Sequence, residues 1–119
     1  MLTFAMNMEY KVVFSEQSEK DLRSIYEYIA VKLLSPTNAY LQFSRIEERI
    51  LSLESMPLRF KLYNSKNRQK KCLHIMNIDN YVVLYAVDDE NKIVSIVRIM
   101  YGSRDIERQL AENQVKNDF

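Results

Sequence analysis

The sequence predicts an α+β domain of order β-α-α-β-β-β-α, a helical hairpin packed on a mainly antiparallel four-stranded sheet. Three observations carry that expectation. Apolar residues recur at helical spacing through two successive segments that end near residue 53. Short β-branched and aromatic runs follow these segments and do not alternate with them. The break between the two helical segments, Ser35-Pro36, is so short that the helices must fold back on each other.

Residues 9–14 open the domain as a strand, with Tyr10, Val12 and Phe14 on one face. Ser15 or Ser18 then offers an N-cap, and the Ser18 to Asp21 spacing resembles a capping box with Asp in the place of Glu. In the first helix Leu22, Ile25, Tyr26, Ile29, Ala30 and Leu33 form an apolar face. Ser35 is placed to cap the second helix, and Pro36 suits its first position. Ala39, Phe43, Ile46, Ile50 and Leu53 make a narrow stripe along that helix, which Met56-Pro57 ends. Tyr26, Tyr28 and Tyr40 are expected in the core or at its edge.

A polar connector over 58–68 leads into a strand over about 69–78, and Asn77 to Asn80 read as a turn. The run Tyr81 to Val87 is almost continuously apolar, as in a central strand covered on both faces. Asp88 to Asn91 is a hairpin loop, Ile93 to Ile99 a last strand, and Ser103 caps a final helix to about Glu112. The expected organisation is a flexible leader over 1–8, one domain over 9–112 and a frayed end over 113–119.

Bulk composition narrows the function. The 119 residues are 47% hydrophobic, enough for one core. A single cysteine, Cys72, cannot close an internal disulfide and fits a reducing, cytoplasmic setting. No apolar run approaches the roughly 18 residues that cross a bilayer, and the opening residues lack the pattern of a secretory signal, so no membrane role is expected. With one glycine, a phosphate-cradling glycine loop is impossible. No cofactor is expected, and one histidine with one cysteine is a poor basis for a metal site.

The net charge of +1 conceals a dense basic run. Arg59, Lys61, Lys66, Arg68, Lys70 and Lys71 fall between residues 59 and 71 with no acid among them. Such a run attracts phosphates or an acidic protein segment. Arg98 stands inside the apolar strand Ile96 to Met100, where a guanidinium needs a carboxylate partner or a ligand. His74 carries an imidazole, the usual side chain for general acid or base work, although its apolar neighbours favour a core position. Cys72 reads as a small core residue. Tyr63 and Tyr101 flank the basic material and could stack on bases or pack at the rim.

Several stretches together resemble the ParE/RelE-type toxins of bacterial type II toxin–antitoxin, or plasmid-stabilisation, modules. The strand Tyr10 to Ser15 and the segment KDLRSIYEYI at 20–29 resemble the family's opening. LSPTNA at 34–39 and LESMPLR at 53–59 resemble its helical hairpin. NYVVLYAV at 80–87 and IVRIMYGSRD at 96–105 resemble its last two strands and arginine-ended tail. The resemblance covers about 9–110 in the family's order.

It implies a toxin neutralised by a cognate acidic antitoxin that folds as it docks helices or a strand. Two targets are open: DNA gyrase, poisoned without catalysis by ParE-like members, or the ribosome, where RelE-like members cut mRNA without a metal. RNA-cutting relatives usually carry an arginine after the tyrosine that opens the third strand; here Val82 follows Tyr81. Many relatives have histidine where Tyr101 stands. The remaining catalytic candidates are Lys71, His74, Arg98, Tyr101 and Arg104, without an evident convergent set. The antitoxin- or phosphate-binding candidates are the six residues of the basic run with Arg98 and Arg104. These departures and the full-length hairpin favour the ParE-like reading over the RelE-like one.

Overall fold

A computed structural model of the chain describes residues 10–63 and 73–102. The expected leader, the final helix with Arg104, the frayed end, and Lys66, Arg68, Lys70, Lys71 and Cys72 all lie outside the described residues.

Strand β1 (Lys11–Phe14) leads into helix α1 (Glu16–Glu27), which runs on through a π-helical turn, Tyr28–Lys32. Helix α2 (Pro36–Leu51) follows, then two 3-10 turns, Ser52–Glu54 and Pro57–Arg59. Strands β2 (His74–Ile78), β3 (Tyr81–Asp88) and β4 (Ile93–Tyr101) complete one four-stranded sheet of order β1-β4-β3-β2. β4 is antiparallel to β3, and β3 to β2, while β1 lies parallel to β4.

The helical hairpin covers one face of the sheet. Ile46, Ile50 and Leu53 from its second half meet Val83, Tyr85 and Ile96 in the larger core, each buried aliphatic chain stabilising the fold by about 1.5–3 kcal/mol. Alternate residues of β3, Val82 and Leu84, belong to a smaller cluster with Leu73 and Met100. β3 is thus buried on both faces, which explains its unbroken apolar sequence.

Several local details differ from the sequence reading. Ser15, not Ser18, caps α1: its Oγ accepts the Ser18 N–H at 3.0 Å. Ser18 is buried instead, its hydroxyl donating to the Ser15 carbonyl at 2.9 Å, and Asp21 turns away toward β4. Ser35 makes no side-chain cap; its Oγ accepts from the Asn38 amide, while its carbonyl accepts the Ala39 N–H. The π turn widens the end of α1 and rotates its last residues outward, so Leu33, expected on the apolar face, is exposed. Tyr28 and Tyr40, expected in or beside the core, are exposed as well. Only Tyr26 packs inward, edge-on against Phe43.

At the hairpin tip the turn is closed by Leu34 in the left-handed region, φ 52°, a conformation that a side chain with a Cβ adopts at some cost. β2 is described from His74; the expected start near residue 69 lies outside the described residues. Before it, residues 61–63 pair with 73–75: Tyr63 N–H donates to Leu73 O at 2.7 Å and Ile75 N–H to Lys61 O at 3.0 Å. The start of the basic run, at Lys61, is thereby held beside the start of β2.

Candidate functional site

β1 pairs with β4 only as far as Ile96. Beyond that point the edge of β4 would be left with unpaired backbone groups, a costly exposure if buried. The start of α1 takes over. Ser15 N–H donates to Ile96 O at 3.0 Å and the Ser15 hydroxyl to Val97 O at 3.0 Å. One turn later the Asp21 carboxylate accepts the Ile99 N–H at 2.9 Å. The β3–β4 register skips Val97, a bulge that re-aims the following side chain. That side chain is Arg98, whose Nε and Nη2 donate to the two Asp21 oxygens at 2.8 and 3.1 Å. Gln17 completes the shell, donating to Asp21 Oδ1 at 3.0 Å. The pair is buried, with side chains 11% and 8% exposed.

This pair sits in the wall of a groove of about 980 Å³ between the helical hairpin and the far ends of β3 and β4. Ile25, Ile29, Ile99 and Met100 give it an apolar floor. Tyr28, Tyr81 and Tyr101 form an aromatic rim, with Tyr81 and Tyr101 edge-on at 5.7 Å. Asn38, Gln42 and Asn80 contribute neutral amides. Burial, then the neighbouring phenols of Tyr101 and Tyr28, pushes the Tyr81 hydroxyl above the usual tyrosine range, so it is a poor base near neutrality. Gly102 follows the rim and donates its N–H to Asn80 O at 2.8 Å. A Cβ there would meet Val82 Cγ1 at 2.9 Å, so the close approach itself requires glycine.

A second surface lies at the base of the basic run. Arg59 is fixed locally: its Nη1 donates to the Ser55 and Met56 carbonyls at 2.7 and 3.0 Å, and Nη2 to Ser52 Oγ at 3.0 Å. Its guanidinium lies over the Phe60 ring, 4.7 Å from the centroid. Lys61 is exposed, as are the neighbouring Met56, Leu58 and Leu62. Two ring contacts hold this turn to the sheet. The Tyr85 hydroxyl donates to Pro57 O at 2.6 Å, and His74 Nδ1 lies 2.8 Å from Phe60 O. A carbonyl only accepts, so Nδ1 carries the proton. The His74 ring stacks on Tyr85 at 5.2 Å.

The sequence candidates therefore separate. Arg98 and Tyr101 share the groove; His74 is buried under Phe60 and does not line it. Lys71 and Arg104 lie outside the described residues. The residue that sequence reasoning missed is Asp21, read there as capping chemistry. Its signal was available: Asp21, Ile25 and Ile29 repeat every four positions, which puts an acid on the helix face that meets the arginine-bearing strand. Among the described residues no three His, Cys, Asp or Glu side chains gather as a metal site.

A family model described as the ParE toxin of the type II toxin–antitoxin system, parDE, matches residues 12–106. No curated sequence matches significantly. Solved structures do. The chromosomal ParDE toxin–antitoxin system of P. aeruginosa superposes with a TM-score of 0.65 at 18% identity, covering 79% of this chain and 97% of that one. The RelBE2 toxin–antitoxin complex of Mycobacterium tuberculosis gives 0.59 at 22% identity, covering 79% and 92%. The archaeal RelE–RelB complex of Pyrococcus horikoshii gives 0.55 at 22%, covering 82% and 100%. At these identities the likeness is one of fold.

Proposed function

The chain belongs to the ParE toxin family of type II toxin–antitoxin systems, and from that premise we propose that it is a non-enzymatic toxin that binds DNA gyrase in the cytoplasm until a cognate antitoxin occupies the groove beneath its helical hairpin. The structures it resembles are toxin–antitoxin complexes, which supports an antitoxin as partner. The observation that carries the non-enzymatic reading is the state of Arg98. RNA cleavage by the 2′-hydroxyl needs a base, an acid and a cation aimed at the phosphate. In the groove the guanidinium is already bidentate to Asp21, and the histidine is elsewhere, its Nδ1 held at Phe60 O. Among the described residues no acid–base set converges on one phosphate position.

Arg98 also leaves the list of contacts for antitoxin carboxylates, because Asp21 occupies that role. Electrostatic attraction of the acidic partner falls instead to the exposed Lys61 and the rest of the basic run. Purified protein is expected to inhibit gyrase supercoiling or to accumulate cleaved DNA, and induction in cells is expected to stop DNA synthesis before translation in pulse labelling. Translation arrest with mRNA cuts in the ribosomal A site, and no effect on gyrase, would overturn the reading in favour of an endoribonuclease.

A further inference from the structure

We infer that the solvent side of the helical hairpin is a self-association surface, on which a second copy of this chain delivers its Arg23 into a cavity walled by Tyr26, Glu27, Tyr40 and Phe43 and receives the first copy's Arg23 in return. The inference goes beyond the proposed function and does not depend on the target named there.

The cavity, of about 640 Å³, opens between α1 and α2. Leu22 is buried at its base, and Tyr26 and Phe43, both half-buried, meet edge-on there at 6.0 Å. Tyr40 stands at the margin, 63% exposed. Glu19, Arg23 and Glu27 follow one another along α1 at intervals of four, so they share one helix face, and all three are exposed. A surface that gathers ring faces with carboxylates suits a cation, because a guanidinium can stack on a ring and donate to a carboxylate at once. The cavity's own arginine does not fill that role. Among the described residues the ring contacts with a cation are those of Arg59 on Phe60 and Lys92 on Tyr10, and no ion pair joins Arg23 to either glutamate.

One face thus carries both a cation and a place for one. That is what a two-fold interface requires, since every contact in it is made twice. Charge also selects the register. Two α1 helices crossing antiparallel about an axis through Arg23 would set guanidinium on guanidinium and glutamate on glutamate, which is costly. An axis midway between Arg23 and Glu27, which are about 6 Å apart along the helix, sets Arg23 of each copy opposite Glu27 of the other. The rings of Tyr26 then lie near the axis, where a second copy excludes water best. Tyr40 and Leu51, 63% and 44% exposed, lie about three turns apart on one stripe of α2 and add apolar area beside the crossing. An interface of this extent belongs with the small, transient class.

Sedimentation velocity on the full-length chain, from about 10 μM to about 1 mM, tests the proposal. A monomer–dimer equilibrium that weakens with added salt is expected. Because each substitution removes two symmetric contacts, Arg23→Glu alone and Glu27→Arg alone are each expected to weaken it at least about tenfold. Mixing those two variants is expected to restore the dimer as a heterodimer, since both cross pairs are then of opposite sign. Both positions are exposed, and circular dichroism checks the fold; Arg23→Gln and Glu27→Gln, with the same expected weakening, replace a variant that does not fold. Arg45→Gln, on another face of α2, is expected to leave the equilibrium unchanged. A chain that stays monomeric throughout would overturn the proposal. So would a dimer indifferent to both charge reversals, or a mixture of the two folded variants that fails to pair.

Discussion

The groove beneath the helical hairpin and the base of the basic run each hold an arginine that the sequence offers as a contact, and the structure treats the two differently. Arg98 is buried and answered by a carboxylate from another element. Arg59 stays near the surface and is answered by backbone carbonyls of its own turn and by a ring. In the first case a charge is cancelled, and the surface around it becomes neutral and apolar. In the second the charge persists, because carbonyl dipoles orient a guanidinium without neutralising it. One surface is then suited to shape and apolar contact, and the other to long-range attraction of an acidic partner. Counting cations in sequence cannot distinguish these outcomes.

The sharpest way to break this contrast is to remove Asp21. Asp21→Ala leaves a buried guanidinium without its counter-charge and the Ile99 N–H without an acceptor. The expected loss is about 3–5 kcal/mol of folding stability, read as a shift of the urea midpoint at unchanged slope. A loss below about 1 kcal/mol would show that water reaches Arg98 readily, and the neutral-groove account would fall with it.

Much of this fold was legible because its elements are strongly periodic. The Ala39, Phe43, Ile46, Ile50 and Leu53 stripe does face the sheet, and the unbroken Tyr81 to Val87 run is the strand buried on both sides. What escaped the sequence depended on phase or on distance along the chain. A π turn at Tyr28–Lys32 breaks the 3.6-residue period, so Leu33 came out exposed although a regular helix would have kept it on the apolar face. Asp21 had a sufficient local explanation as a first-turn acid, and its true partner lies 77 residues away. Arg98 was recognised as needing a partner, yet no spacing rule could name it.

At the other region, Tyr85→Phe removes the hydroxyl that fastens Pro57 to the sheet. The expected loss is about 1–2 kcal/mol, the range for leaving a buried carbonyl without its donor. Alkali supplies an independent check. Burial, offset in part by Arg59, pushes the Tyr85 hydroxyl up to about 12, against about 10 in an unfolded chain. The neutral form is therefore favoured by folding. Its contribution is complete below about pH 10 and is lost as pH rises toward 12, where the unfolded chain has already released its proton. The Phe variant is expected to lose stability less steeply than the native chain across that window. An identical slope would mean that other tyrosines, such as Tyr81, carry the alkaline sensitivity.

A smaller effect probes how β4 is handed from β1 to α1. Ser15→Ala removes the cap of α1 and the hydrogen bond to Val97 O together. About 1 kcal/mol is expected. A loss well beyond that would mean that the bulge that aims Arg98 depends on this hydroxyl; a loss of that size would mean that the Asp21 pair holds β4 without it.

The least effect is expected from an ion pair of the same chemistry in a different setting. Arg45 Nε lies 2.8 Å from Asp79 Oδ2, as close as Arg98 is to Asp21, but the side chains are 59% and 39% exposed. Gln42 donates to the same oxygen at 3.0 Å, so the carboxylate keeps a partner when the arginine is lost. Water and salt also screen the attraction, and ordering two long side chains opposes it. Arg45→Gln is therefore expected to cost less than about 1 kcal/mol, and less still at high ionic strength. Asp21→Ala should keep most of its effect in the same salt, because a buried charge is poorly screened. Equal losses for the two variants would mean that distance, not burial, governs these pairs. A steep salt dependence for Asp21→Ala would place solvent ions beside Arg98, and burial would then not be what protects this pair.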